Sequence, residues 1–183
     1  MSDRLQTLTV PLTRTKRELL ATLNKIPYFE GLTAVELLYL VNQGYPQTVS
    51  PLEYICWEGD IANSFYILLT GKVEVISLRK KQHLAVLNPG DFFGEIALFM
   101  GTPRVATCRT LERSRLFVIH RHHLQHILST NREIAETIAL KLLDRQNALI
   151  ELGIISKSDR VSNRGIALNL IQKWLQTLFR AWM

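Results

Sequence analysis

The chain has 183 residues, enough for one sizeable domain and too few for two full ones. Its 47% hydrophobic and 21% charged residues exclude the composition of a disordered chain. The net charge of +6 favours an anionic partner, which could be nucleic acid, a phosphorylated small molecule or a membrane surface. Two cysteines, Cys56 and Cys108, are too few for a disulfide framework, and no apolar secretory segment follows Met1. We therefore expect a cytoplasmic protein.

Two short helices are predicted first along the chain. A basic segment, residues 15–24, has the composition of a short helix, and residues 32–42 form the second. Thr33 and Glu36 have the spacing of a capping box at the start of the second helix.

A glycine-punctuated region of short strands follows, between Tyr45 and Ile119. Aromatic and β-branched residues dominate residues 65–76, and the Thr70-Gly71 pair interrupts them, which predicts two strands joined by a turn. Several short strands at this spacing indicate an antiparallel sandwich or roll.

Helical patterns return after the strands. Residues 121–129 predict a short helix, and Asn131 is placed to cap a longer one that runs to Glu151. Residues 153–163 have the composition of a linker. Residues 164–183 carry apolar side chains at steps of four, which predicts a strongly amphipathic helix.

The most informative segment is FGEIALFMGTPRVAT, residues 93–107. It places a glycine before a carboxylate, then one helical turn, then a Gly-Thr-Pro turn that leads to Arg104. The first N–H groups of a helix favour an anion, and a guanidinium suits a phosphate with two parallel donors. Glu95 repels phosphate, so its expected partner is a donor such as a sugar hydroxyl.

This segment resembles the phosphate-binding cassette of cyclic nucleotide-binding domains, the family of the catabolite activator protein and the regulatory subunits of cAMP-dependent protein kinase. The resemblance extends from about Tyr28 to Glu151, because EGDIANSFYILLTGKVEV and NPGDFFG also match the family pattern. It implies an α+β fold: an antiparallel β-roll, or double-stranded β-helix of jelly-roll type, flanked by N-terminal and C-terminal helices. The implied division is an N-terminal helical segment (1–27), the binding domain with its long helix (28–151), and a linker with the amphipathic helix (152–183).

The resemblance also implies a role for each cassette residue. Glu95 would accept a hydrogen bond from the ribose 2′-hydroxyl, and Arg104 would pair with the cyclic phosphate. Gly94 would permit close approach of the phosphate to the chain. The phosphate would be cradled by the backbone amides of Ile96, Ala97 and Ala106. In relatives that prefer cGMP the residue after the arginine tends to carry a hydroxyl, and Val105 has none. The implied ligand is therefore cAMP rather than cGMP.

The sequence departs from the family pattern in the long helix. An ungapped alignment with the catabolite activator places the polar pair that contacts adenine at Leu149 and Ile150, neither of which can hydrogen-bond a base. Base recognition would then depend on apolar stacking or on Arg145 and Asn147.

Other interpretations compete at several residues. Arg104 and Glu95 could instead form a surface ion pair in a loop. The four histidines at 120, 122, 123 and 126 are expected to be solvated helix residues rather than metal ligands, because no acidic or cysteine ligand lies beside them. Cys56 and Cys108 are expected to be small core residues. No catalytic motif appears, so an enzyme is not expected.

The C-terminal part bears on the effector. Residues 152–183 are fewer than the roughly 40 that a stable independent domain needs, so a complete winged helix is not expected and DNA is not an expected partner. The amphipathic helix is predicted to cover the roll, a partner protomer or an effector protein, with a membrane surface as the alternative. A homodimer could form through the long helix.

These observations favour a regulatory module that couples cyclic nucleotide binding to movement of its C-terminal helices. Two alternatives stay open: a transcription regulator of the Crp/Fnr type without a full DNA-binding domain, and a ligand-free scaffold or membrane-associated regulatory subunit.

Overall fold

The computed structural model of the chain describes residues 11–151. The helices in this range are α1 (Arg14–Leu23), a 3₁₀ helix (Pro27–Phe29), α2 (Ala34–Gln43), α3 (Glu95–Met100), α4 (Arg121–Thr130) and α5 (Arg132–Glu151). The predicted helices at 15–24, 32–42 and 121–129, and the longer one after Asn131, are confirmed with bounds shifted by one or two residues.

Eight strands form two antiparallel four-stranded sheets, and the α+β β-roll expected from the sequence is confirmed. The strands are β1 (Tyr45–Val49), β2 (Tyr54–Cys56), β3 (Ser64–Thr70), β4 (Val73–Ser77), β5 (Gln82–Leu87), β6 (Phe92–Phe93), β7 (Thr107–Thr110) and β8 (Ser114–His120). Their order is β1-β8-β3-β6 in the first sheet and β2-β7-β4-β5 in the second.

Short polar side chains fix the starts of the helices. The Thr33 hydroxyl accepts from the Glu36 amide at 3.2 Å, and the Glu36 carboxylate accepts from the Thr33 amide at 2.7 Å, which completes the predicted capping box. Asn131 Oδ1 accepts from the Ile134 amide at 3.2 Å, so Asn131 caps α5 as predicted.

The predicted turn between β3 and β4 joins the two sheets, because these strands lie in different sheets. Gly71 occupies it with a φ of +93°, and a Cβ atom there would lie 2.3 Å from the Ser114 hydroxyl oxygen. Glycine therefore meets both a backbone and a packing requirement at this corner.

Two apolar cores position the functional region. The larger core joins the helices to the first sheet, and it includes side chains of α1, α2, α4 and α5 together with Phe65 and Phe117. The smaller core lies between the sheets and includes Cys56 and Cys108, which confirms their predicted core placement. The cassette lies beside both cores, since side chains of α3 join the larger one and Phe93 of β6 joins the smaller one.

Some predictions lie outside the described residues: the linker at 153–163 and the amphipathic helix at 164–183. Within residues 11–151, none of the helices is long and apolar enough to cross a bilayer.

Candidate functional site

The predicted cassette forms one continuous wall of a cavity. Gly94 caps α3 in the left-handed conformation with a φ of +84°, and Gly101 ends the helix with a φ of +65°. The chain then returns to β7. The cavity measures about 220 Å³, and all seven candidate residues line it: Gly94, Glu95, Ile96, Ala97, Arg104, Val105 and Ala106.

Arg104 is the central cation of this cavity and is only 4% exposed. Its Nη1 donates to the Gly94 carbonyl at 2.6 Å, and its Nη2 donates to the Ser64 carbonyl at 2.7 Å. The guanidinium carbon lies 5.5 Å from the centre of the Tyr66 ring. Arg104 Nε is buried and has no hydrogen-bond partner among the described residues.

The backbone around Arg104 is also held in place. Its amide donates to the Asp60 carbonyl at 2.8 Å, and its carbonyl accepts from the Gly59 amide at 2.8 Å. A Cβ atom at Gly94 would lie 2.5 Å from Arg104 Nη1, so only glycine leaves room for the guanidinium there.

Glu95, the first residue of α3, is 2% exposed. Both Glu95 and Arg104 are buried, so the interpretation of a surface ion pair in a loop is wrong. A buried carboxylate beside a buried guanidinium places a hydrogen-bond acceptor and a cation in the same cavity wall.

The remaining walls are apolar, and their residues were not predicted as site residues from the sequence. They come from neighbouring strands of both sheets: Cys56, Val75, Leu84, Ala85, Leu87, Phe93 and Cys108. Val75 pairs with Ala85 across β4 and β5, and Val73 pairs with Leu87. In β4 the alternation of Val73, Glu74 and Val75 indicates one apolar face, although it does not specify a cavity. The four consecutive apolar residues of β5, 84–87, give no such signal.

Comparison with known proteins identifies the domain. Residues 46–131 match the family described as "Cyclic nucleotide-binding domain". Residues 46–131 are therefore a cyclic nucleotide-binding domain. Among solved structures, the sensor domain of the transcriptional regulator DNR from Pseudomonas aeruginosa superposes with a TM-score of 0.60 and 29% identity, over 69% of this chain and 91% of that one.

A second solved structure, PKAR CBD2 bound to Sp-2Cl-cAMPS, is similar in fold. It has a TM-score of 0.64 and 20% identity, over 78% of this chain and 94% of that one. Its likeness supports the β-roll fold and no more.

Curated relatives include ion channels. A cyclic nucleotide-gated cation channel of Ictalurus punctatus is 30% identical over 168 residues, covering 84% of this chain and 25% of the channel. Cyclic nucleotide-gated channel alpha-4 of Mus musculus is 35% identical over 116 residues, covering 60% of this chain and 20% of the channel. This chain therefore spans a quarter or less of the length of these channels.

Two thiols in the wall of the cyclic nucleotide-binding domain have opposite pKa shifts. A hydrogen bond from the Cys108 thiol lowers the pKa of Cys56 despite burial, and the positive charge of Arg104 acts in the same direction. The same thiol contact, together with burial, raises the pKa of Cys108. The Cys56 thiolate is thus the more readily formed of the two.

The histidines differ from the expected set of solvated helix residues. His120 is the last residue of β8, and its Nδ1 lies 3.1 Å from the Ser64 hydroxyl. His122 and His126 are exposed, whereas His123 is partly buried beside Tyr39. Burial, and then the neighbouring histidines, lower the pKa of His123. Among residues 11–151, no group of three or more His, Cys, Asp or Glu side chains is arranged to hold a metal ion.

The long helix contributes little to the described cavity. Asn147 and Ile150 lie on α5, and neither is among the residues that line the cavity. In the described part of the chain, the cavity walls come from the roll and the cassette.

Proposed function

We propose that this domain binds a cyclic nucleotide, cAMP in preference to cGMP, with the cyclic phosphate against Arg104. The observation that carries the proposal is the buried, oriented guanidinium at the wall of a cavity. Its hydrogen bonds to the Gly94 and Ser64 carbonyls use two of its five N–H donors, and Nε has no protein acceptor in the described chain. Burying such a charge without an anion is costly, so a phosphate is the fitting partner.

The cassette backbone would share the phosphate with Arg104. Gly94 lets the guanidinium approach the chain, and the helix begins directly after it. In this proposal the amides of Ile96, Ala97 and Ala106 donate to the phosphate oxygens, as the family resemblance implies. All three residues line the same cavity.

Glu95 would accept a hydrogen bond from the ribose 2′-hydroxyl. Its carboxylate is buried and an ionised carboxylate only accepts, so a sugar hydroxyl is a suitable donor. Comparing cAMP with 2′-deoxy-cAMP tests this role, because the wild type should favour cAMP and Glu95→Gln should discriminate less. Equal discrimination by both proteins would assign the ribose contact elsewhere.

The base would pack against the apolar walls. No side chain of the described lining carries a hydroxyl or an amide; beyond Glu95, Arg104 and two thiols, the lining is apolar. Guanine carries a carbonyl oxygen and a ring N–H donor that adenine lacks, and burying these without partners costs binding energy. Val105 offers no hydroxyl to either, which supports the preference for cAMP.

A route of contacts would carry the signal to α5. Tyr28, in the 3₁₀ helix, packs its ring 6.0 Å from that of Phe99 in α3 and 5.5 Å from that of Phe92. Lys141 of α5 donates to the Pro27 carbonyl and pairs with the Glu30 carboxylate. Movement of α3 on binding would therefore reach α5 through the 3₁₀ helix, and differential affinity for the two arrangements would supply the signal.

Hydrogen exchange with and without saturating cAMP tests this coupling. We expect altered protection in both α3 and α5 of the wild type, and a weaker response in α5 for Tyr28→Leu. Identical α5 profiles with and without cAMP would contradict it. Dimerisation through α5, and contact of residues 152–183 with an effector protein or membrane, stay predictions.

The binding proposal itself is tested by competition. A fluorescent cyclic nucleotide is bound to the full chain and displaced by cAMP, cGMP and 5′-AMP. We expect cAMP to displace it at the lowest concentration and 5′-AMP at the highest. Equal displacement by 5′-AMP would mean that the site does not recognise the cyclic phosphate.

A further inference from the structure

Both cysteines of the sequence lie opposite each other in the cavity wall. Cys56 of β2 and Cys108 of β7 are partners in the antiparallel register, and both side chains line the cavity. They are 8% and 5% exposed. Because directly opposite residues share a face of the sheet, their Cβ atoms are expected about 4.5–5.5 Å apart.

This separation is close to that of a disulfide, in which the Cβ atoms lie about 3.5–4.5 Å apart. The backbone at Cys56 can supply the small adjustment. β2 is a three-residue strand at the edge of its sheet, and its register shifts between Tyr54 and Cys56. A strand end at an irregular edge moves at lower cost than the middle of a regular ladder.

The two thiols also differ in acidity. The Cys56 sulfur accepts hydrogen bonds from the Cys108 thiol and the Cys108 amide, and both stabilise its thiolate. The positive charge of Arg104 favours the thiolate form of both cysteines. Redox-active cysteines typically have a lowered pKa and access to solvent, and they often lie beside a second cysteine.

We propose that Cys56 and Cys108 are a redox-active dithiol that hydrogen peroxide converts into a disulfide across β2 and β7. The Cys56 thiolate attacks one peroxide oxygen, which gives a sulfenic acid and releases hydroxide. The Cys108 thiol then attacks the sulfenic sulfur, forms the S–S bond and releases water. In sum, two thiols and one peroxide give one disulfide and two water molecules. A cavity of about 220 Å³ admits a molecule as small as peroxide.

This dithiol goes beyond the proposed function, but it shares its cavity. A nucleotide in the cavity would cover both sulfur atoms and slow their oxidation. Nucleotide binding and disulfide formation are linked equilibria. If the disulfide weakens nucleotide binding, bound nucleotide must therefore oppose disulfide formation to the same extent. This second step rests on the proposed nucleotide binding, whereas disulfide formation does not.

The reduced full chain is treated with hydrogen peroxide, and free thiols and intact mass are measured. We expect loss of both thiols, a mass decrease of about 2 Da and a monomeric band without reductant, all reversed by dithiothreitol. Peptide mapping should recover the Cys56–Cys108 cross-link. Cys56→Ser and Cys108→Ser should form no intramolecular disulfide, and Cys56→Ser should leave Cys108 the slower thiol to oxidise.

Three results would overturn the dithiol: both thiols persist under peroxide, each gains oxygen independently, or the disulfide joins two chains. Repeating the oxidation with saturating cAMP separates the two proposals. Slower oxidation with cAMP supports the proposal that the nucleotide covers the two thiols. An unchanged oxidation rate in a chain shown to bind cAMP contradicts it. A chain that forms the disulfide but binds neither nucleotide would overturn the proposed function and leave the dithiol standing.

Discussion

Replacing Arg104 with alanine should weaken cAMP binding more than any change at a surface arginine. The guanidinium is 4% exposed, so its interaction with a phosphate would be little screened by solvent. Truncating one partner of a buried, hydrogen-bonded charge pair costs about 2–4 kcal/mol, or about 30- to 900-fold in Kd.

The same substitution also has a structural cost. It leaves the Gly94 and Ser64 carbonyls without their guanidinium donor. Each unpaired carbonyl lowers the free energy of unfolding by about 1–3 kcal/mol where water does not replace the donor. Arg104→Lys is therefore the second variant, because it retains a charge but lacks the planar fork. We expect its affinity to lie between those of the wild type and Arg104→Ala.

Arg109→Ala is the matched control. Arg109 lies on β7 and contacts Glu74 and Tyr54, and none of the three lines the cavity. Calorimetric titration with cAMP gives Kd for each variant, and thermal unfolding identifies those that remain folded. A folded Arg104→Ala protein whose Kd is within twofold of the wild type would refute the assignment of the phosphate to Arg104.

Three further changes have defined outcomes. Gly94→Ala should lower both thermal stability and cAMP affinity, because its Cβ would displace the Arg104 guanidinium. The control is Gly90→Ala, since Gly90 is also left-handed but has open space around it. This control should cost only about 1–2 kcal/mol of backbone strain and leave the Kd for cAMP unchanged. Val105→Thr should raise cGMP affinity about 2- to 10-fold if the new hydroxyl bonds guanine, and no gain in titration would remove Val105 from base selection. Because the pKa of His123 is lowered in the folded chain, the unfolded chain binds a proton there more readily, and unfolding scans should show stability falling as pH decreases from 7.5 to 5.5. His123→Gln should lose less stability over this pH range. If it loses as much as the wild type, His123 is not the source of the pH dependence.

Local patterns in the sequence predicted the helix ends and the cassette. The Thr33 and Glu36 spacing and the Asn131 cap are interactions within one turn, so they can be read from neighbouring residues. Gly94 was placed in the cassette by the family resemblance alone, and its left-handed conformation between β6 and α3 is seen only in the structure.

Contacts between distant segments could not be predicted in this way. The Ser64 carbonyl that orients Arg104 belongs to β3, and the wall residues Val75 and Ala85 face the cavity because of the register of β4 and β5. Register between strands depends on packing across the whole roll, and one sequence does not specify it. The facing thiols of Cys56 and Cys108 were missed for the same reason, although each was correctly predicted to be buried.

Whether the cavity binds a cyclic nucleotide is decided by calorimetric titration of the full chain with cAMP and cGMP, side by side at the same temperature and salt. We expect saturable binding of one cAMP per chain and weaker binding of cGMP at the same site. Absence of binding heat with both nucleotides, confirmed by failure of either to raise the unfolding temperature, would contradict it.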